Sequence, residues 1–508
     1  MEKLSPEILL LIVESLGDYE KIAPYATISR QWQAIIESRT MSRIKFDSAD
    51  GLSLFGSVFS QPEAKYRRRS GLRFLEVNIT SPNFGFSDRK TRPKQQTYQA
   101  DATSLLQELS SWKHDPDISY SFEVRLGSYL NYYREVPPLD GSPSASVMAS
   151  AGSVPFVPNL LVEIPPGLAG HALATAERFS ALQTLSISYK DDHYRWHRRR
   201  RQDRADLAKG LAGLQALPQL QHLCIEFERE DPGNQNFVDQ NLEDDDGVDP
   251  LCDALRRFGQ VEGSPLRRLT LYNIMISEDL FSNRHADTAT WPSLEELDIH
   301  VFTVAPSGKY YFTGDDYESE EESENANGSD EDDDEDEDSD EYEVSDTHSN
   351  STEREFDGEC DSSDEQSAER LRRPDAAERD KPYHIWRDRP DPATFNPLAL
   401  QFAAAVARRS MPRLQSAKLT MTYSGLHLWE VTLWCQEAGV ADPWWSDWAG
   451  KRRCETPEVR LWKYMREHRL GPWKPSPEIV DEWRKWLGED GLIFELDDRK
   501  VVAVNADG

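Results

Sequence analysis

One short pattern constrains this chain more than any other feature: L-x-x-L-x-[IVL]-x-x. It occurs as LRFLEVNI from Leu72, LQTLSISY from Leu182, LQHLCIEF from Leu220, LRRLTLYN from Leu266 and LEELDIHV from Leu294, with a weaker copy, LQSAKLTM, from Leu414. Within each copy apolar and polar residues alternate, the period of a strand with one buried face. Most copies follow a helical run: HALATAERFSA, LAKGLAGLQAL, DPLCDALRRF and LALQFAAAVARRS. A proline stands just before the strand at Pro218, Pro265, Pro292 and Pro412, as expected where one element stops and the next begins. Recurring helix–strand units predict an α/β protein in which each unit buries its apolar face against its neighbours.

The pattern resembles leucine-rich repeats, which stack a strand and a helix per unit into a solenoid. The likeness is irregular. Successive copies start 110, 38, 46, 28 and 120 residues apart, against about 20–29 in a regular repeat. The asparagine that closes the usual consensus strand is missing. YSFEVRLGSY around Glu123 and LLVEI from Leu160 read as further strands. An ordinary α/β domain with a few look-alike strands is the competing reading. In either case alternation turns the Leu and Ile positions inward and the intervening residues outward. The outward set is Thr184, Ser186 and Ser188; His222, Cys224 and Glu226; Arg268, Thr270 and Tyr272; Glu296, Asp298 and His300; and Ser416, Lys418 and Thr420. Solenoids bind partners along such a strip. Arg268, Thr270, Tyr272, Glu296, Asp298 and His300 are the candidate client-binding residues. A solvated sheet face without a ligand is the alternative.

The N-terminal stretch LSPEILLLIVESL…IAPYATISRQWQAII places a dense apolar run beside charged residues. Ser5 and Pro6 predict a helix start, with Ser5 capping, Pro6 in the first helical position and Glu7 at the positive end of the dipole. Gly17 predicts its stop. Two further short helices are expected over 19–27 and 29–38. Three short helices make a poor independent core, so their apolar faces require cover, from the rest of the chain or from a partner. The stretch resembles an F-box, whose pattern is met by Leu4, Pro6, Glu7, Ile8, Leu9, Ile12, Leu16, Ile28, Ser29, Arg30 and Trp32. Ser5 departs from it, where a second proline is usual. The resemblance implies docking on a Skp-type adaptor of a cullin-RING ubiquitin ligase through Leu4, Pro6, Ile8, Leu9, Ile12, Leu16, Ile28 and Trp32. The overall layout is similar to F-box proteins of filamentous fungi.

Charge separates the body from one segment. The 508 residues carry a net charge of −33, but 28 acids and one base lie between Asp315 and Glu369. Removing that −27 leaves −6 for the rest, an ordinary globular surface. Nothing here provides the basic footprint that nucleic acid requires. The acidic segment buries too little apolar surface to fold and is expected to be a disordered insertion, either a solvating linker or a lure for basic partners. RWHRRRRQDR from Arg195 and KYRRR from Lys65 are basic; they read as nuclear import signals or as partners of the acidic insertion. Five scattered cysteines without a C-x-x-C fit a reducing compartment with neither disulfides nor zinc. No run reaches the roughly 18 apolar residues of a membrane helix. The nucleus or cytoplasm is expected.

Nine of the fourteen tryptophans fall between Trp429 and Trp486, and there core packing outweighs a ligand pocket. GLHLWEVTLWCQEA reads as a strand, KPSPEIVDEWRKWL as a helix capped by Ser476, and LIFELDDRKVVAV as two strands. The expected organisation is an F-box over 1–46, a leucine-rich-repeat-like body over 47–312, the acidic insertion over 313–380, a last repeat-like unit over 381–424 and a small Trp-rich α/β cap over 425–508. No phosphate-binding glycine loop, nucleophile elbow or metal-spaced cluster appears, so neither enzymatic activity nor a cofactor is expected. Two functions compete: a substrate receptor of a ubiquitin ligase, and an acidic nuclear interaction protein binding basic partners such as histones.

Overall fold

The computed structural model describes residues 4–16, 22–46, 49–60, 65–78, 94–112, 122–127, 152–164, 168–191, 197–229, 241–261, 263–283, 286–288, 290–314, 387, 389–406, 410–423, 429–440, 457–465, 473–487, 492–497 and 500–503. The expected acidic insertion lies almost wholly outside them. Contacts group residues 1–231, 239–312 and 389–508 into one compact unit, and the following concerns that unit.

Its frame is a 13-stranded sheet. The strands are β1 (Arg43–Phe46), β2 (Phe74–Asn78), β3 (Glu123–Gly127), β4 (Asn159–Ile164), β5 (Thr184–Lys190), β6 (His222–Glu228), β7 (Arg268–Ile274), β8 (Glu296–Val301), β9 (Ser416–Tyr423), β10 (Trp429–Gln436), β11 (Glu458–Met465), β12 (Leu492–Asp497) and β13 (Lys500–Ala503). They lie side by side in chain order. From β1 to β9 every neighbouring pair is parallel. Beyond β9 the pairs β9–β10, β10–β11 and β12–β13 are antiparallel, and β11–β12 is parallel. The fold is therefore mixed α/β with a large, mostly parallel sheet.

Among the described residues ten α-helices accompany it: α1 (Pro6–Ser15), α2 (Arg30–Thr40), α3 (Ala49–Phe59), α4 (Lys65–Gly71), α5 (Lys94–Ser111), α6 (Ala169–Ala176), α7 (His197–Leu214), α8 (Pro250–Gln260), α9 (Pro392–Ala405) and α10 (Pro477–Leu487). Several begin as the sequence dictates. Asp249 and Asp391 cap α8 and α9, each followed by proline in the first turn, which loses no hydrogen bond there.

Register explains the core. Leu185 and Ile187 align with Leu223 and Ile225, these with Leu269 and Leu271, and these in turn with Leu297 and Ile299. All are buried, and each such side chain contributes about 1.5–3 kcal/mol. Helices pack closely over this apolar layer because small residues permit it. A Cβ on Gly210 of α7 would stand 2.4 Å from Leu173 Cδ1 of α6, and one on Gly259 of α8 would stand 2.2 Å from Trp291 Cδ1. Nearer the N-terminus, Trp112 stacks against Phe59 and Phe156, with ring centroids 5.7 and 5.9 Å away.

Some boundaries differ from expectation. Residues 43–46, placed within the 1–46 unit, form β1 and pair with β2. The strands of 425–508 continue the same sheet, because β10 pairs along all eight residues of β9. Within the basic run from Arg195, the described residues 197–204 form the first turns of α7, and KYRRR lies on α4.

Candidate interaction surfaces

The first surface is built by the N-terminal helices. Ser5 caps α1 by accepting from Ile8 N at 3.5 Å, and Ser29 caps α2 by accepting from Trp32 N at 3.3 Å. Between them lies a 3₁₀ turn, Ala23–Thr27. Val13, Ile22 and Ile36 form a small core against which Ala26, Trp32 and Ile35 pack. Leu9, one turn before Val13, is also buried, at 2% exposure. Apart from half-buried Ile12, the remaining large apolar side chains of α1 and the following turn face out. Leu11 is 63% exposed and Ile28 59%, with Leu4, Ile8, Leu10, Leu16 and Tyr25 also exposed.

The expected docking residues thus divide. Leu4, Ile8, Leu16 and Ile28 are on the surface, Ile12 is half-buried, and Pro6 opens the helix. Leu9 is buried and not on the surface, one turn from Val13 on the same side of α1. Trp32 supports that core, its ring 6.3 Å from Tyr25. Leu10 and Leu11 were not among the expected residues, although the unbroken run ILLLIV must place some leucines outside any single buried stripe.

The second surface is the polar face of the sheet. On β7, Leu269, Leu271 and Ile274 are buried, while Arg268 and Tyr272 are exposed and Thr270 half-buried. On β8, Glu296, Asp298 and His300 are half-buried and alternate with buried Leu297, Ile299 and Val301. Lateral pairing brings these residues together. Arg268 meets Glu296 through Nε–Oε2 and Nη2–Oε1 contacts of 2.6 Å each. The Tyr272 and His300 rings lie 4.6 Å apart, and His300 Nε2 is 3.4 Å from Asp298 Oδ1. Asn273 follows with φ 54°, a left-handed conformation asparagine tolerates. Its Nδ2 donates to Phe227 O at 3.1 Å and Arg229 O at 2.8 Å. Burial raises the Cys224 thiol pKa, and the carboxylates of Glu226 and Asp298 raise it further. Thr420, expected to face outward, is 1% exposed. Its hydroxyl lies 3.0 Å from that of Thr432 on β10, so the adjoining strand covers that end of the strip.

A buried polar network lies beyond the C-terminal ends of β5–β7. Arg200 reaches both oxygens of Asp191, at 2.9 and 3.1 Å, and Arg204 both oxygens of Asp249, at 2.5 and 2.6 Å. Asp249 also accepts from Cys252 N at 3.0 Å. Tyr189 donates to Asp203 at 2.7 Å, and Arg229 sits 4.1 Å from the Phe302 ring centre. All these residues except Cys252 and Phe302 carry polar or charged groups, and all are buried. Arg200 and Arg204 of the α7 run therefore have internal acidic partners, whereas Arg201 donates to Asn241 O at 2.7 Å on the surface. On α4, Arg68 pairs with Glu37 at 3.2 Å, and Arg69 donates to Phe59 O at 3.0 Å.

Cys224, Cys252 and Cys435 are free thiols. Among the described residues no His, Cys, Asp or Glu group is placed to hold a metal, and no helix is long and apolar enough to cross a membrane. An apolar helical surface and an open polar sheet face define, as a class, an α/β protein with two candidate interaction surfaces. No family model, curated protein or solved structure matches the chain.

Proposed function

We propose that this chain is an F-box-type substrate receptor of a cullin-RING ubiquitin ligase. The N-terminal helices dock on a Skp-type adaptor, and the polar sheet face selects a client. The observation that carries this reading is the exposure of Leu4, Ile8, Leu11 and Ile28 around a separate small core of Val13, Ile22 and Ile36. Large apolar residues gathered on helices that already possess a core favour a partner surface. The body is read as an irregular leucine-rich-repeat solenoid ending in a Trp-rich cap. Strict chain order across nine parallel strands supports that reading, since each unit then touches only its neighbours. In this role the chain selects and positions, and other subunits transfer ubiquitin.

The test is adaptor capture by the full chain carrying Leu11→Asp and Ile28→Asp. At least a tenfold loss of affinity is expected, with thermal unfolding unchanged. Undiminished capture overturns the reading. Histones recovered without adaptor or cullin favour the acidic interaction protein instead.

A further inference from the structure

We infer that the open face of β6–β8 receives an arginine side chain from the client, seated on Tyr272 between Glu226 and Asp298. This rests on the receptor reading of that face and adds the chemistry of what it selects.

Pairing within the sheet removes most of the positive charge. Arg268 is held by Glu296 through two nitrogens of one guanidinium edge. Lys190 lies 3.6 Å from Glu228, which also accepts from Ser188 at 2.7 Å. Farther along, Lys45 is paired with Glu76 and Arg125 with Glu163. Two carboxylates near the centre have no cationic Lys or Arg partner among the described residues. Glu226 on β6 is exposed. Asp298 on β8 has His300 as its one ion-pair partner among the described residues, through a buried Oδ1, while its side chain as a whole is 44% exposed. Lys418 stands beside Asp298 in register on β9, which limits the negative patch on that side.

An aromatic ring lies between these acids. Glu226 aligns with Tyr272, and Asp298 aligns with Thr270 on the same strand as Tyr272. With neighbouring strands about 4.8 Å apart and about 3.3 Å per residue along a strand, the two acidic positions flank β7 diagonally, about 12 Å from each other. Tyr272 is 47% exposed, leaning on His300 at 37°. A cation over its ring gains the attraction of the π face and stands within reach of either acid. Arginine fits better than lysine, because its planar head stacks on the ring while its edge meets a carboxylate. The raised Cys224 thiol pKa reports the same field, since both carboxylates act on it after burial.

The probe is a peptide alternating arginine with serine over eight residues and ending in a benzophenone photocrosslinker. It is irradiated with the full chain, and the attachment sites are mapped by mass spectrometry. Labelling on β6–β8 is expected. It should fall at least tenfold in Glu226→Gln with Asp298→Asn and about fivefold in Tyr272→Ala or with a lysine peptide. It should rise in Arg268→Gln, which releases Glu296. Labelling confined to the acidic 315–369 stretch, or unchanged by these substitutions, overturns the inference. Adaptor capture on the same samples separates the two readings. Site-specific labelling without adaptor capture retains the arginine site and removes the receptor role. Adaptor capture without site-specific labelling removes the arginine site alone.

Discussion

The N-terminal helices and the sheet body dispose of apolar residues in opposite ways. In the body, leucines alternate strictly with polar residues and the apolar side lies under helices, so its open face is polar. In α1 leucines follow one another without alternation. Only Leu9 and Val13 enter a core, and Leu10 and Leu11 remain exposed. The contrast teaches that apolar content alone predicts neither burial nor stability. Period decides which residues a chain can cover by itself, and what it leaves uncovered is available to another molecule.

The largest expected effect that would sharpen the contrast lies in the body. Asp249→Ala leaves Arg204 buried without its counter-ion and uncaps α8, a loss of about 3–5 kcal/mol readable from urea unfolding. A loss below about 1 kcal/mol would mean that the network is dispensable. Next comes pH. Burial lowers the pKa of His171 from 6.5 to about 4. The unfolded chain binds the proton first, so this contribution is intact above about pH 6.5. It declines by about 1.4 kcal/mol per unit as pH falls toward 4. His171→Gln should flatten that part of the stability–pH curve. An unchanged slope would locate the acid sensitivity elsewhere.

Gly210→Ala is expected to cost about 1–3 kcal/mol through overpacking, since the added methyl meets both Cβ and Cδ1 of Leu173. Gly213→Ala meets only the end of the flexible Glu177 side chain and should be neutral or slightly stabilising. Equal melting temperatures for the two variants would contradict the close α6–α7 packing. The smallest stability change belongs to Leu11→Asp, within about 0.5 kcal/mol as for most surface sites. If it unfolds the N-terminal helices, as judged by their hydrogen exchange, the two regions handle apolar residues alike and the contrast fails.

Much of the fold was legible because its signals are local. The L-x-x-L pattern marks β2 and β5–β9, and its alternation gives the outward register of Arg268, Tyr272 and Asp298. Cap-and-proline pairs mark the starts of α8 and α10. What escaped has no local signal or a misleading one. RIKF, which forms β1, carries two cations and is placed by pairing with β2 and by Arg73 N and Phe74 N donating to Ser42 O. The arginines of α7 read as a surface run, yet Arg200 and Arg204 are four residues apart and so share one helix face. That spacing hinted at common partners, but finding Asp191 and Asp249 required the tertiary fold. Likewise, the pairing of Arg268 with Glu296, which leaves Glu226 and Asp298 without a Lys or Arg partner near the centre of the face, depends on which strands become neighbours.

Strict chain order in the sheet also has a consequence for synthesis. Each strand from β2 to β8 leaves the ribosome with its parallel neighbour already made. The sheet can therefore grow as translation proceeds. That order pauses after Val301, because β9 begins only at Ser416. At about 5–20 residues per second, the intervening stretch of roughly 114 residues takes about 6–23 s to emerge. Throughout that interval β8 presents unpaired backbone N–H and C=O groups, a template for another nascent chain. The strongly acidic stretch emerges within the same interval. Like charges of that stretch on neighbouring chains repel one another.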